Sequence, residues 1–162
     1  MTGERADLVE TLRRHREFLM YTTRDLTDAQ AALRSTASEL SLGGLIKHIA
    51  ATERSWMAFA AGGAEAMEAE PSDWENGFRM TEGETLVGLL ATYEDVAAET
   101  DRLVESSPDL DAAHALPSAP WFEPGKSWSV RRVLLHLIAE TSQHAGHADI
   151  IRETIDGAKT MG

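Results

Sequence analysis

Apolar residues recur along the chain at three- and four-residue steps in four long stretches, the spacing of amphipathic helices. From Glu4 to about Asp25 the repeating positions are Leu8, Leu12, Leu19 and Leu26. His15 falls on that seam, where a hydrogen-bonded core histidine is the expected role. Ser41 reads as the N-cap of a second helix from Leu42 to Phe59. Its stripe is Leu42, Leu45, Ile46, Ile49, Trp56, Met57 and Ala60, and Gly62-Gly63 is its stop signal. Thr81-Glu82-Gly83-Glu84 has capping-box spacing and predicts a third helix to about Ser106, with Leu86, Leu89, Leu90, Tyr93, Val96, Ala97, Leu103 and Val104 inward. Ser129 caps a fourth, ending near Asp156 before Gly157, whose stripe is Val130, Val133, Leu134, Leu137, Ile138, Thr141, Ala148, Ile151 and Ile155.

The connections are uneven. Residues 26–41 contain Thr27-Asp28-Ala29-Gln30, a capping box that predicts a short helical turn within the link. Residues 61–80 are acidic and turn-rich around Trp74 and Phe78, and read as a surface loop. Between Ser107 and Ser127 lie four of the five prolines together with Trp121 and Phe122, with Trp128 just beyond. A connection of that length is more often a lid or binding segment than filler. No repeat and no strand pattern is visible. The pattern predicts an all-α four-helix bundle with long connections, a single domain over residues 1–162.

Charge narrows the partners. Fifteen Lys and Arg against 27 Asp and Glu give a net charge of -12, which repels nucleic acid and anionic membranes alike. Apolar runs fall far short of the roughly 20 residues that span a bilayer, and Met1-Thr2-Gly3-Glu4-Arg5 lacks a signal-peptide core, so a soluble cytoplasmic protein is expected. With no cysteine, disulfides, thiolate ligands and a cysteine nucleophile are excluded, and any sulfur chemistry needs a thiol from outside.

The candidate chemistry sits on the fourth helix. At about 100° per residue, His136, Glu140, His144 and His147 share an arc of roughly 80°. His144 and then Glu140 lie closest to the apolar stripe, whereas His136 and His147 fall nearer solvent, as rim groups. A Glu and a His four residues apart offer two donor atoms to one metal from successive turns. The same spacing also suits an ordinary surface pair. His48 flanks the stripe of the second helix as Glu140 flanks that of the fourth, which makes it the candidate third ligand. Glu53 falls inside its stripe, where a carboxylate needs a basic partner or donor, as a structural ion pair or in a catalytic role.

Leu45-Ile46-Lys47-His48-Ile49-Ala50-Ala51-Thr52-Glu53, together with the segment from Leu135 to Asp149 that carries Glu140-x-x-x-His144, resembles the DinB-like metal-binding four-helix superfamily. That superfamily includes mycothiol-dependent maleylpyruvate isomerase and bacillithiol S-transferases. The resemblance covers nearly the whole chain, and Glu140 follows the isomerase branch where many members have a histidine. It implies a divalent metal, zinc or nickel, on His48, Glu140 and His144, with positions left open for water or a thiol. Three N/O ligands plus an open position suit a catalytic site.

On that footing the expected function is a metal-dependent transferase or isomerase joining a thiol of the mycothiol type to a small electrophile. His147 or His136 would shuttle the proton, and Trp121, Phe122 and Trp128 would supply apolar surface to the substrate. The alternative is a metal-binding stress or binding protein without turnover. Two imidazoles of ordinary pKa would make metal affinity fall below about pH 6 with a slope approaching two protons. Leu135, Ala139, Gly146 and Ile150 form an apolar strip opposite the core stripe, to be covered by the connector at 26–41 or, as the resemblance favours, by a homodimer partner.

Overall fold

The computed structural model describes residues 3–161. In chain order its elements are α1 (Glu4–Tyr21), α2 (Asp28–Ala32), α3 (Leu42–Glu68), α4 (Leu86–Ser106), β1 (Ala113–Ala115), β2 (Ser127–Ser129) and α5 (Val130–Asp156). The four long helices make an all-α bundle in which α5 packs on α1 and α3, and α4 packs on α3 and α1. Thus α1 and α3 face each other across the bundle centre. No helix among the described residues is long and apolar enough to cross a membrane.

The caps follow local chemistry. Thr27 accepts from the Gln30 amide while its own amide donates to Gln30, closing the reciprocal box that starts α2. The Ser41 and Ser129 hydroxyls accept from the amides of Gly44 and Arg132. At the far end of α5, Gly157 takes the left-handed conformation, φ 76°, that a helix C-terminus favours there.

Several boundaries differ from the sequence pattern, each for a local reason. The first helix stops at Tyr21, because the hydroxyls of Thr22 and Thr23 donate to the carbonyls of Leu19 and Met20, both at 2.7 Å, and turns follow. Arg152 of α5 then donates to the carbonyls of Thr22 and Arg24, both at 2.7 Å, tying that end down. Gly62-Gly63 does not end α3. Gly63 adopts φ 76° and ψ -163°, so the helix bends there and continues to Glu68, shortening the expected 61–80 loop. A Cβ on Gly63 would also meet the His114 ring at 3.2 Å.

The third long helix starts at Leu86, with Thr85 as its cap. Of the expected Thr81 box only one half forms, the Thr81 amide donating to Glu84 at 2.7 Å, and it closes a turn instead. Strands that the pattern did not show appear in the long connection, where Ala113, His114 and Ala115 pair antiparallel with Ser129, Trp128 and Ser127. Three residues per strand are too few for a periodic signal. His15 is half-exposed rather than a core histidine, its ring edge on Phe18.

At the bundle centre lies an ion pair. Glu53 of α3 is 0% exposed and Arg16 of α1 is 2% exposed. Arg16 donates to both carboxylate oxygens of Glu53 through Nε, at 3.1 Å, and through Nη2. Its remaining nitrogen reaches Asp101 of α4 at 3.1 Å, and Asp101 also takes Arg13 at 2.7 Å. Burial lowers the Arg16 pKa but the Glu53 charge and hydrogen bonds more than compensate, so it is raised. Tyr93 of α4 is buried beside this pair, and desolvation followed by the Glu53 charge pushes its pKa up. Glu53 therefore has a structural partner, and α1, α3 and α4 are joined at one point.

Removing Arg16 leaves the buried Glu53 carboxylate unpaired, so Arg16→Met should lower unfolding stability by about 3–5 kcal/mol. Arg16→Met together with Glu53→Leu should recover most of that loss. Urea denaturation of the two variants checks both values.

Candidate metal centre

His48 projects from α3 into the groove against α5, where Glu140 and His144 stand on successive turns. The candidate ligand atoms of these three side chains lie within 4.8 Å of one another, and all three are half-buried. His144 Nε2 is 3.8 Å from Glu140 Oε2, and the rings of His48 and His144 meet edge to face at 5.0 Å between centroids. Donors at 2.0–2.1 Å on a tetrahedral ion sit about 3.4 Å apart, so a small inward turn of the side chains closes this set on a zinc-sized cation. Two neutral nitrogens and one carboxylate are also a donor set that suits zinc or nickel. The residues fit a divalent metal.

Electrostatics prepares the imidazoles. Burial, and then the charge of His144, lowers the His48 pKa to about 4. His144 is also lowered, by burial first, against the opposing pull of Glu140. Both rings therefore hold an unprotonated nitrogen through the neutral range, as ligation requires.

The other two histidines of α5 flank the donor set, and His136, expected nearer solvent than Glu140, is the more buried of the two, its side chain 22% exposed against 30%. His147 Nδ1 is 3.2 Å from His144 Nδ1, within reach to share a proton with a ring of the set. His136 Nε2 is 3.9 Å from Glu140 Oε1, and burial lowers its pKa as well. The His136 ring packs edge-on to Trp56 at 4.9 Å and Trp128 at 5.1 Å.

That contact joins the donor set to an aromatic cluster. Trp128 stacks on Trp56 at 4.7 Å with 19° between planes, Phe122 stands edge-on to both at 6.0 Å, and the Arg132 guanidinium lies 4.2 Å over Trp128. The β1–β2 pairing brings Trp128 there. Trp121 is 70% exposed and touches only the outer edge, through Phe122. Two residues of this neighbourhood escaped the sequence reading. Trp56 counted only as core, although it faces both core and site. Phe78, read as loop, stacks on the His48 ring at 3.9 Å with 22° between planes. The available signal was Gly43-Gly44 early in a helix, since glycine there often marks close packing.

Among solved structures, a conserved protein of a locus from Enterococcus faecalis has the same fold, with a TM-score of 0.70 over 98% of this chain and 100% of that one, at 17% sequence identity. A search of the curated proteins gives no match. The profile of the mycothiol-S-transferase family matches residues 7–157, a span that holds every helix core and all three residues of the donor set. The chain belongs to the mycothiol-S-transferase family.

Proposed function

We propose that this protein is a cytoplasmic enzyme that joins a low-molecular-weight thiol of the mycothiol type to a small electrophile, or isomerises the electrophile through it, using a divalent metal on His48, Glu140 and His144. The observation that carries this reading is the convergence of two imidazoles and a carboxylate from α3 and α5, within the span matched by a thiol-transferase family. A divalent cation held there, zinc or nickel, supplies the positive charge that keeps a thiol in its nucleophilic thiolate form. The chain's own residues do the rest. His147, which stands beside His144, takes the thiol proton, and His136 next to Glu140 is the second group within reach. Trp128 and Phe122, with Trp56 behind them, offer the electrophile an apolar wall beside Glu140, with Trp121 at its exposed edge. A pair of these chains shields the strip of Leu135, Ala139, Gly146 and Ile150, all exposed in the single chain, with Leu135 at 48% and Ile150 at 62%.

Elemental analysis of the purified protein should find about one zinc or nickel per chain. Glu140→Gln removes the negative charge and should weaken metal binding at every pH, and His144→Ala should abolish tight binding in titration against a chelator. Metal-loaded protein given mycothiol and an electrophile should consume the thiol, read by mass spectrometry. Metal binding without thiol loss across a panel of electrophiles would favour a binding protein without turnover.

Because burial lowers the His48 pKa to about 4 and also lowers that of His144, protons compete for the site less than ordinary imidazoles would allow, and metal retention should persist below pH 6. The metal-free fold should respond to acid as well. Unfolded, His48 titrates near its ordinary 6.5, so between 6.5 and 4 the unfolded chain binds the extra proton and stability falls with acid. Urea titrations at pH 7 and pH 5 should show that loss, and His48→Gln should reduce it.

Sedimentation of the wild-type protein should give a dimer, and Ile150→Glu a monomer.

A further inference from the structure

Residues 73–80 do more than connect α3 to α4. The Asp73 carboxylate accepts from the Asn76 amide at 3.1 Å, and the Asn76 side-chain oxygen accepts from Arg79 Nε at 2.8 Å, which folds the segment on itself. Lys47 of α3 reaches down to the Arg79 carbonyl at 3.4 Å and pairs with Glu84 at 2.9 Å. The segment can lie this close because α3 opens with two glycines. A Cβ on Gly44 would stand 1.9 Å from the Phe78 carbonyl oxygen, and one on Gly43 2.2 Å from the Met80 sulfur. Any other residue at Gly44 would push the backbone of Phe78 away.

What this seating achieves is the placement of one ring. Phe78 remains 42% exposed, yet its ring stacks on His48 at 3.9 Å and comes within 6.2 Å of His144. Metal-ligating histidines are usually oriented by a hydrogen bond from the second ring nitrogen to a carboxylate or carbonyl. Among the described residues, the only hydrogen-bond partner of the His48 ring is the Thr52 hydroxyl, at a long 3.5 Å. The orienting contact is aromatic instead.

We infer that Phe78 is a positioning residue for His48: the segment 73–80, seated on Gly43-Gly44, holds the Phe78 ring against the imidazole and fixes the direction of its donor nitrogen. The inference rests on the metal-site reading above. It assigns to an exposed loop residue a role in metal affinity and coordination geometry, with no contact of its own to the metal.

Cobalt(II) serves as a coloured probe of the site, with affinity measured by chelator competition and geometry by visible absorption. Phe78→Ala should weaken cobalt binding roughly tenfold and alter the absorption bands, with the helical circular dichroism of the wild type retained. Phe78→Leu, which keeps apolar cover but loses the flat ring, should behave like Phe78→Ala, whereas Phe78→Tyr should bind as the wild type does. Gly44→Ala leaves Phe78 in the sequence and adds a better helix former, yet should reproduce the loss by displacing the loop. Wild-type affinity and spectrum in Phe78→Leu and Gly44→Ala would overturn the inference and leave the metal site standing. Failure of the wild-type protein itself to bind cobalt would overturn both.

Discussion

The ion pair between Arg16 and Glu53 is the constraint on which the bundle depends. Two groups this deeply buried lose their hydration, and the loss is tolerable only if each charge stays matched to the other. The match fixes more than a distance. Arg16 uses Nε and Nη2 on Glu53 and Nη1 on Asp101, so one planar guanidinium sets α1 against α3 and α4 together. An apolar centre would tolerate a helix rotated by a few tens of degrees; this one does not.

That rotation decides where the chemistry falls. His48 precedes Glu53 by five residues, about 140° around the helix. With Glu53 turned to the bundle centre, His48 is carried to the flank of α3 that faces α5, beside the turns bearing Glu140 and His144. Trp56, one turn beyond Glu53, faces Trp128 and His136 by the same rotation. The glycines of α3 shape its two ends in complementary ways. Gly44 admits the Phe78 backbone near the donor set, and Gly63 bends the helix where His114 of the β1–β2 pair comes in. Burial around this groove keeps the imidazoles neutral, so the environment that positions the ligands also keeps them unprotonated.

Much of this was legible in the sequence, and the limits have physical causes. Helical periodicity placed the four long helices and nearly all of their buried stripes, because burial of one face is a signal repeated over many residues. The flank positions of His48 and Glu140 pointed at one groove, where their donor atoms do come together with those of His144, but the wheel set His136 nearer solvent than Glu140, and packing against Trp56 and Trp128 buries it more deeply. Single-residue events were not legible. Gly63 can end a helix or bend it, and its sequence does not distinguish the two, since both use the same positive φ. Glu53 announced its need for a partner but not that Arg16, 37 residues earlier, would meet it. Phe78 lay in a stretch with no period, and its place over His48 depends on a tertiary contact.

X-ray absorption at the zinc edge, on protein loaded with one equivalent of metal, tests the central assignment most directly. Nitrogen and oxygen neighbours are expected at about 2.0–2.1 Å, with outer-shell scattering from two imidazoles that falls to one imidazole in His48→Ala. An oxygen-only shell without imidazole scattering, or a spectrum unaltered by His48→Ala, would contradict the assignment.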